Sequence, residues 1–124
     1  ADGTSTALGA GELTRADSAL AGALAGELER SGSRAHYGRI VSTDLFYQRD
    51  DRRHHAWGEE GALAVEMEAA ALFALGASAG VPVACVLAVS DTFDATGARR
   101  RIDDDALLSV VETMGTVAAA ALAV

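Results

Sequence analysis

The amino-acid sequence predicts an α/β fold in which helices pack on a mixed, partly parallel β-sheet. Ile40 and Val41 mark a short strand, ALAVEME at 62–68 indicates a strand that runs directly into a helix, and 81–89 is an apolar run of strand length. Apolar strands without polar alternation are typical of sheets that helices cover on both faces. With 124 residues, the chain is expected to form one domain, spanning 1–124.

Helix signals lie between these strands. Thr14 is predicted to cap a first helix that reaches Gly32 and carries leucines at helical spacing, namely Leu20, Leu24 and Leu28. A second helix is predicted over 68–79, because Gly80 suits a helix end and Pro82 prevents continuation.

The last third of the chain predicts one more helix. Aspartates at 103–105 are expected to begin it, because negative charge is favourable at the positive end of the helix dipole. The helix should run to about 123, with an apolar stripe of Leu107, Val111, Met114 and Val117. TFDATGARRR at 92–101 is predicted to be a loop, and 48–61 a loop or a short surface helix.

Composition narrows the class of protein. The formal net charge of −8 and the isoelectric point near 4.7 argue against binding to nucleic acid or to an anionic membrane through bulk charge. Cys85 is the single cysteine, so no internal disulfide can form, and we expect a buried, inert thiol. The sequence has no uninterrupted run of about 18 apolar residues and no signal-peptide pattern, so we expect a cytoplasmic protein.

Polar and aromatic residues follow the three predicted strands, at 43–47, 66–68 and 90–91. Parallel strands would bring these ends to one edge, where open α/β sheets bind ligands. A carboxylate can accept hydrogen bonds from both hydroxyls of a cis-diol, and an aromatic ring can stack on a planar base. A partly buried aspartate with a raised pKa can protonate a leaving group. Together these chemistries predict a nucleoside site.

Three ordered motifs carry a resemblance to a known family: STDLFY at 42–47, VEMEAAALF at 65–73 and VSD at 89–91. They resemble the purine nucleoside phosphorylase and uridine phosphorylase superfamily, in particular its hexameric, bacterial-type purine nucleoside phosphorylases. This superfamily also contains nucleosidases that cleave methylthioadenosine and S-adenosylhomocysteine. DGTS at 2–5 is similar to a segment of some uridine phosphorylase-like members.

The resemblance implies a role for each motif residue on the sugar side. Phe46 would pack against the base, and Met67 would lie under the ribose. Glu68 would bind the 2′- and 3′-hydroxyls, and Glu66 would lie close to the sugar. Each also has a structural alternative, because acids at a strand-to-helix junction often cap the helix and Phe46 or Met67 could belong to the core.

On the base side, the resemblance implies that Asp91 protonates the purine at N7 and that Ser90 supports or orients Asp91. One of Arg99, Arg100 and Arg101 could assist the proton transfer, and the spacing does not select among them. The structural alternatives are a Ser-Asp turn and a solvated basic loop. His54 and His55 are expected to be solvated, and we expect no metal site and no cofactor.

The implied reaction is phosphorolysis of the N-glycosidic bond of purine ribonucleosides or deoxyribonucleosides, with phosphate as co-substrate. The resemblance covers only the C-terminal half of a typical member, so we expect the phosphate-binding half to be absent from this chain. A thin sheet with apolar edges favours a homo-oligomer or a complementing N-terminal half. A nucleosidase and a non-catalytic nucleoside-binding or oligomerising remnant remain as alternatives, and no nucleic-acid or membrane partner is expected.

Overall fold

The computed structural model describes residues 3–46, 52–94, 96 and 98–123. The chain divides into two compact units, one formed by Ala1–Ala21 and His36–Cys85 and the other by Gly22–Ala35 and Val86–Val124. The mixed helix and strand content confirms the predicted α/β class. The elements in chain order are α1 (Gly3–Ala7), α2 (Ser18–Arg30), β1 (Ile40–Ser42), α3 (Arg52–Glu59), β2 (Ala64–Glu66), α4 (Ala69–Ala79), β3 (Asp91–Phe93), β4 (Arg99–Arg101) and α5 (Asp104–Leu122).

Strands β1 and β2 form a parallel pair in the first unit, as the sequence predicts. Ile40 lies opposite Ala64 and Ser42 opposite Glu66. The N–H of Thr43 donates to the carbonyl of Glu66 at 3.0 Å, so the pairing continues one residue past β1. The carboxyl ends of both strands therefore lie side by side.

Helix α4 follows β2 after two residues and confirms the predicted helix. It ends at Gly80, whose left-handed φ of 67° is favourable for glycine and which donates its N–H to the carbonyl of Ala77. Its buried residues are small, because the returning chain comes close to the helix. A Cβ on Gly76 would collide with the side chain of Val83 and lie 2.8 Å from the carbonyl oxygen of Val81.

The predicted strand over 81–89 is wrong, because no strand is found at 81–90. Val81 donates its N–H to the carbonyl of Gly76 at 2.9 Å, and the carbonyl of Val83 accepts from Asp17 at 2.8 Å. Both bonds join the segment to helix ends or loops and not to a strand. Apolar composition indicates burial, whereas a strand also needs a neighbouring strand, which no described segment supplies here. Among the described residues, the predicted single sheet is therefore replaced by two two-stranded sheets.

Helix α2 begins later than predicted. The carboxylate of Asp17 accepts from the N–H of Leu20 at 2.8 Å, so Asp17 and not Thr14 caps the helix. An aspartate directly before the first helical turn can reach the N–H three residues further on, which Thr14 is too distant to do. The chain leaves the helix near Gly32, which has a left-handed φ of 69°.

The second unit contains a β-hairpin where the sequence predicts a loop. Strands β3 and β4 pair antiparallel, with Asp91 opposite Arg101 and Phe93 opposite Arg99. Asp94 organises the turn, because its Oδ1 accepts from the N–H and the hydroxyl of Thr96, at 2.9 and 2.6 Å, and from the N–H of Ala98 at 3.1 Å.

Helix α5 begins as predicted, with Asp103 accepting from the N–H of Ala106 at 2.9 Å. Val117 is buried in the expected apolar stripe, whereas Val111 is exposed.

By length and composition alone, α5 could cross a membrane, with a mean hydropathy of 1.4. The core helix of a soluble protein, which is mostly buried, passes the same test, and 11% of the α5 window is buried.

Most buried apolar residues of the described chain are small. Leu24 and Val117 are the largest of them, and no large described side chain is fully buried. Large apolar side chains with more than half of their surface exposed include Leu13, Leu63, Leu72, Val81, Val89, Phe93, Leu108 and Leu122.

Candidate functional site

Two acidic residues at the end of β2 have different structural roles. Glu66 turns its carboxylate to the start of α4, where its Oε2 accepts from the N–H of Glu68 at 2.7 Å and of Ala69 at 2.6 Å. Its Oε1 accepts from the hydroxyl of Ser42. The helix-capping alternative therefore describes Glu66, whose carboxylate holds three donors.

Glu68 occupies the N-cap position of α4 without capping it. Its φ and ψ are −127° and −32°, and its side chain makes no capping hydrogen bond. Glu68 is exposed, and no described residue donates a hydrogen bond to its carboxylate. Met67, between the two glutamates, is half-buried. The carboxylate that the resemblance assigns to the ribose hydroxyls is thus available to a ligand.

The end of β1 carries the residues predicted to contact the base. Phe46 is 74% exposed, which is compatible with a stacking surface and not with a core position. Thr43 is buried, and its Oγ1 accepts from the N–H of Leu45 at 3.3 Å. Asp44 accepts from the N–H of Thr4 at 2.6 Å and so caps α1. Tyr47, the last residue of STDLFY, lies outside the described residues, as do Asp2 of DGTS and 48–51 of the charged segment.

Ser90 and Asp91 lie at the start of the hairpin. The Ser90 hydroxyl donates to Asp91 Oδ2 at 2.7 Å. Arg99 donates from Nε to Asp91 Oδ1 at 2.6 Å, and Nη1 of Arg101 lies 3.6 Å from Oδ2. Ser90, Asp91 and Arg101 border an open cleft of about 350 Å³, which is also lined by Val89, Thr92, Arg100 and Ile102.

The charge on Asp91 differs from the expectation. The hydrogen bond from Arg99, followed by that from Ser90, holds the pKa of the Asp91 carboxyl below its ordinary value of 3.8. The predicted raised pKa is therefore wrong, because the sequence did not show that two arginines face this aspartate. In this arrangement Asp91 is a carboxylate at neutral pH.

The hairpin separates the three arginines that the sequence left equivalent. Adjacent residues of a strand point to opposite faces, so Arg99 and Arg101 share one face and meet Asp91. Arg100 lies on the other face, with Nε 3.9 Å from Asp94 Oδ2. All three guanidinium side chains stay more than half exposed.

The candidate residues fall into two groups. Phe46, predicted to contact the base, and Glu66, Met67 and Glu68, predicted for the sugar, belong to the first unit. Ser90, Asp91 and Arg99–Arg101 belong to the second. Sequence reasoning gave no role to Ser42, which lies opposite Glu66 on the neighbouring strand. The sequence feature that could have indicated Ser42 is a hydroxyl residue at the end of β1, which pairs in parallel with β2, the strand that ends in Glu66.

Other reactive side chains do not form a metal centre in the described part of the chain. Among residues 3–46, 52–94, 96 and 98–123, no three histidine, cysteine, aspartate or glutamate side chains converge as metal ligands would. His54 packs edge-on against Trp57 at 5.5 Å. Burial, and then the negative charge of Glu66, raise the pKa of the Cys85 thiol, which disfavours the reactive thiolate.

Comparison with known proteins identifies the family. The model of the phosphorylase superfamily matches residues 2–124, and the chain belongs to this superfamily. A DeoD-type purine nucleoside phosphorylase from Caldanaerobacter subterraneus subsp. tengcongensis is 45% identical over 67 residues, 52% of this chain and 29% of that protein. The corresponding protein of Clostridium beijerinckii is 48% identical over 56 residues, 45% of this chain and 24% of its own length.

A guanosine phosphorylase from Halorubrum lacusprofundi is 34% identical over 84 residues, 68% of this chain and 35% of that protein. The matched regions thus span about a quarter to a third of these relatives.

Proposed function

We propose that this chain supplies the ribose-binding and base-binding residues of a purine nucleoside phosphorylase. The reaction would cleave the N-glycosidic bond of a purine nucleoside with phosphate and give the base and ribose 1-phosphate. The observation that carries the proposal is the exposed carboxylate of Glu68. This carboxylate makes no capping hydrogen bond, because Glu66 accepts the N–H groups at the start of α4 instead. The names of the relatives support the purine nucleoside and phosphate as substrates.

On the sugar side, the Glu68 carboxylate would accept hydrogen bonds from the 2′- and 3′-hydroxyls with its two oxygens. Met67 would pack under the ribose, and the exposed ring of Phe46 would cover the base. Glu66 would act through the backbone, since its carboxylate already holds three donors.

On the base side, Asp91 would protonate N7 so that the purine leaves as a neutral molecule. Its resting carboxylate is ionised and bonded to Arg99, so it cannot donate a proton in that state. We propose that the purine displaces Arg99, which raises the Asp91 pKa. The carboxylate then takes up a proton from water and passes it to N7 as the N-glycosidic bond breaks. Ser90 would keep the carboxylate in place during this exchange.

Catalysis would also need phosphate ligands, which we propose lie in a part of the fold that this chain does not supply. Exposed large apolar side chains in both units support association with further protein, as a homo-oligomer or with a complementing N-terminal half. No cofactor or metal enters the proposed reaction. We place the protein in the cytoplasm.

The test is release of base from inosine and adenosine, with and without phosphate. The chain is assayed alone and joined to the N-terminal region of the longer Caldanaerobacter relative. Base that appears only with phosphate, and is lost in Glu68→Gln, supports the proposal. Equal release without phosphate would identify a nucleosidase instead. No release in either form would leave the non-catalytic remnant, which either binds nucleosides without turnover or only associates with other chains.

A further inference from the structure

The start of α4 is capped by residues that precede its N-cap position. A helix leaves its first N–H groups without partners inside the helix, and usually the N-cap side chain accepts one of them. In α4 the N-cap residue Glu68 does not do so. Glu66 accepts two of these N–H groups, those of Glu68 and Ala69, and the hydroxyl oxygen of Ser42 accepts the third, from Ala70 at 2.9 Å.

Ser42 connects the two halves of this cap. Its O–H donates to Glu66 Oε1 while its oxygen accepts from Ala70, so one hydroxyl fixes both the glutamate and the helix. The Ser42 residue is only 7% exposed, and the N–H of Ala70 is buried, so water cannot easily replace either bond. Pairing of β1 with β2 puts Ser42 directly opposite Glu66.

We propose that Ser42 is a positioning residue for ribose recognition, acting through Glu66 and the first turn of α4 to hold Glu68. The inference rests on the proposed function, because it takes Glu68 as the ribose ligand. Since Glu66 bonds the backbone N–H of Glu68 itself, a shift of the Glu66 carboxylate displaces the peptide that carries the ribose ligand. Ser42 has no contact with substrate in this account.

This role predicts a selective effect on ligands. If Ser42 acts through Glu68, its loss weakens only ligands that carry the hydroxyls that Glu68 binds. Ser42→Ala should therefore weaken inosine binding about tenfold, equivalent to about 1.4 kcal/mol, and leave 2′,3′-dideoxyinosine unchanged. A residue that merely stabilises the fold would weaken both nucleosides alike.

The experiment is calorimetric titration of the full chain with inosine and with 2′,3′-dideoxyinosine. The variants are Ser42→Ala, Ser42→Thr, Glu68→Gln and the Ser42→Ala, Glu68→Gln double variant. Ser42→Thr keeps the hydroxyl and should restore most of the inosine affinity. In the double variant, the loss of Ser42 should add nothing to the loss of Glu68, because both act on the same contact. If Ser42→Ala does not fold, Ser42→Cys replaces it in the same comparison.

The outcomes separate the inference from the function on which it rests. An inosine-selective loss that vanishes in the Glu68→Gln background supports the positioning role. Equal weakening of both nucleosides, or an additive double variant, overturns it while the ribose contact of Glu68 stands. If the unsubstituted chain does not prefer inosine to the dideoxynucleoside, or if Glu68→Gln changes nothing, the proposed ribose contact itself is wrong and the inference falls with it.

Discussion

Replacement of Glu66 should lower the stability of the fold, whereas replacement of Glu68 should leave stability nearly unchanged and weaken nucleoside binding. Glu66 accepts from two helix N–H groups and from Ser42, whereas Glu68 caps nothing. Glu66→Ala removes all three bonds. Loss of a helix cap costs about 0.5–2 kcal/mol, and an unsatisfied buried donor adds about 1–3 kcal/mol. Since Ala69 is buried, we expect Glu66→Ala to lower the free energy of unfolding by about 2–3 kcal/mol.

Glu68→Ala is the matched control, two positions away in the same turn. Because its side chain is exposed and makes no capping bond, its free energy of unfolding should change by no more than about 0.5 kcal/mol. Glu66→Gln keeps one carbonyl oxygen as an acceptor and should fall between the two.

The assay is urea unfolding followed by far-ultraviolet circular dichroism, with the slope checked for each variant before the midpoints are compared. A loss in Glu68→Ala as large as that in Glu66→Ala would refute this division of roles. So would a neutral Glu66→Ala.

Three further predictions concern other parts of the chain. Gly76→Ala should lower the free energy of unfolding by about 1–3 kcal/mol, because the added Cβ would collide with Val83. The control Gly22→Ala, where a Cβ has no atom within contact distance, should not destabilise the protein. Thermal unfolding of the two variants tests this difference. The Asp91 ion pair contributes fully to stability above the ordinary carboxyl pKa of 3.8, and this contribution is lost as pH falls through the lowered pKa of Asp91 in the folded protein. The NMR shifts of the hairpin amides should therefore stay constant from pH 7 to 4 and change only below pH 4. Arg99→Ala should move that change to higher pH, and an unchanged titration in this variant would contradict the pairing. Asp91→Asn should reduce phosphorolysis of inosine about 100-fold or more in the form joined to the N-terminal region, and an unchanged rate would exclude Asp91 as the acid.

The sequence predicted those parts of the fold that local chemistry determines. Gly80 ends α4 because its left-handed backbone is unfavourable for other residues, and Asp103 begins α5 through its own carboxylate. Parallel pairing of the strands before Thr43 and Met67 also followed from their apolar character and the helix after the second strand. These signals need only a few neighbouring residues.

The wrong secondary-structure predictions fall in segments whose conformation depends on contacts with other parts of the chain. The run 81–89 has strand composition, but no described strand lies beside it. The hairpin at 91–101 was missed because its turn depends on one side chain, Asp94, which accepts three hydrogen bonds. The spacing of apolar residues does not indicate such a turn.

The candidate site shows the same limit at the level of single atoms. Glu66 and Glu68 are both acids at a strand-to-helix junction, and in the sequence only the resemblance to the family distinguishes them. Only the backbone path after β2 shows that one faces the helix N–H groups and the other does not. The arginines at 99–101 were likewise equivalent until the register of the hairpin placed Arg99 and Arg101 on the face of Asp91.

Carboxyl ¹³C NMR of the glutamate-labelled chain can show whether Glu68 binds the ribose while Glu66 caps the helix. Inosine is titrated in, and the two side-chain carboxyl resonances are assigned by the Glu66→Gln and Glu68→Gln variants. We expect the Glu68 resonance to shift with a saturable dependence on inosine while the Glu66 resonance stays in place. A shift of Glu66 with Glu68 unmoved would contradict it.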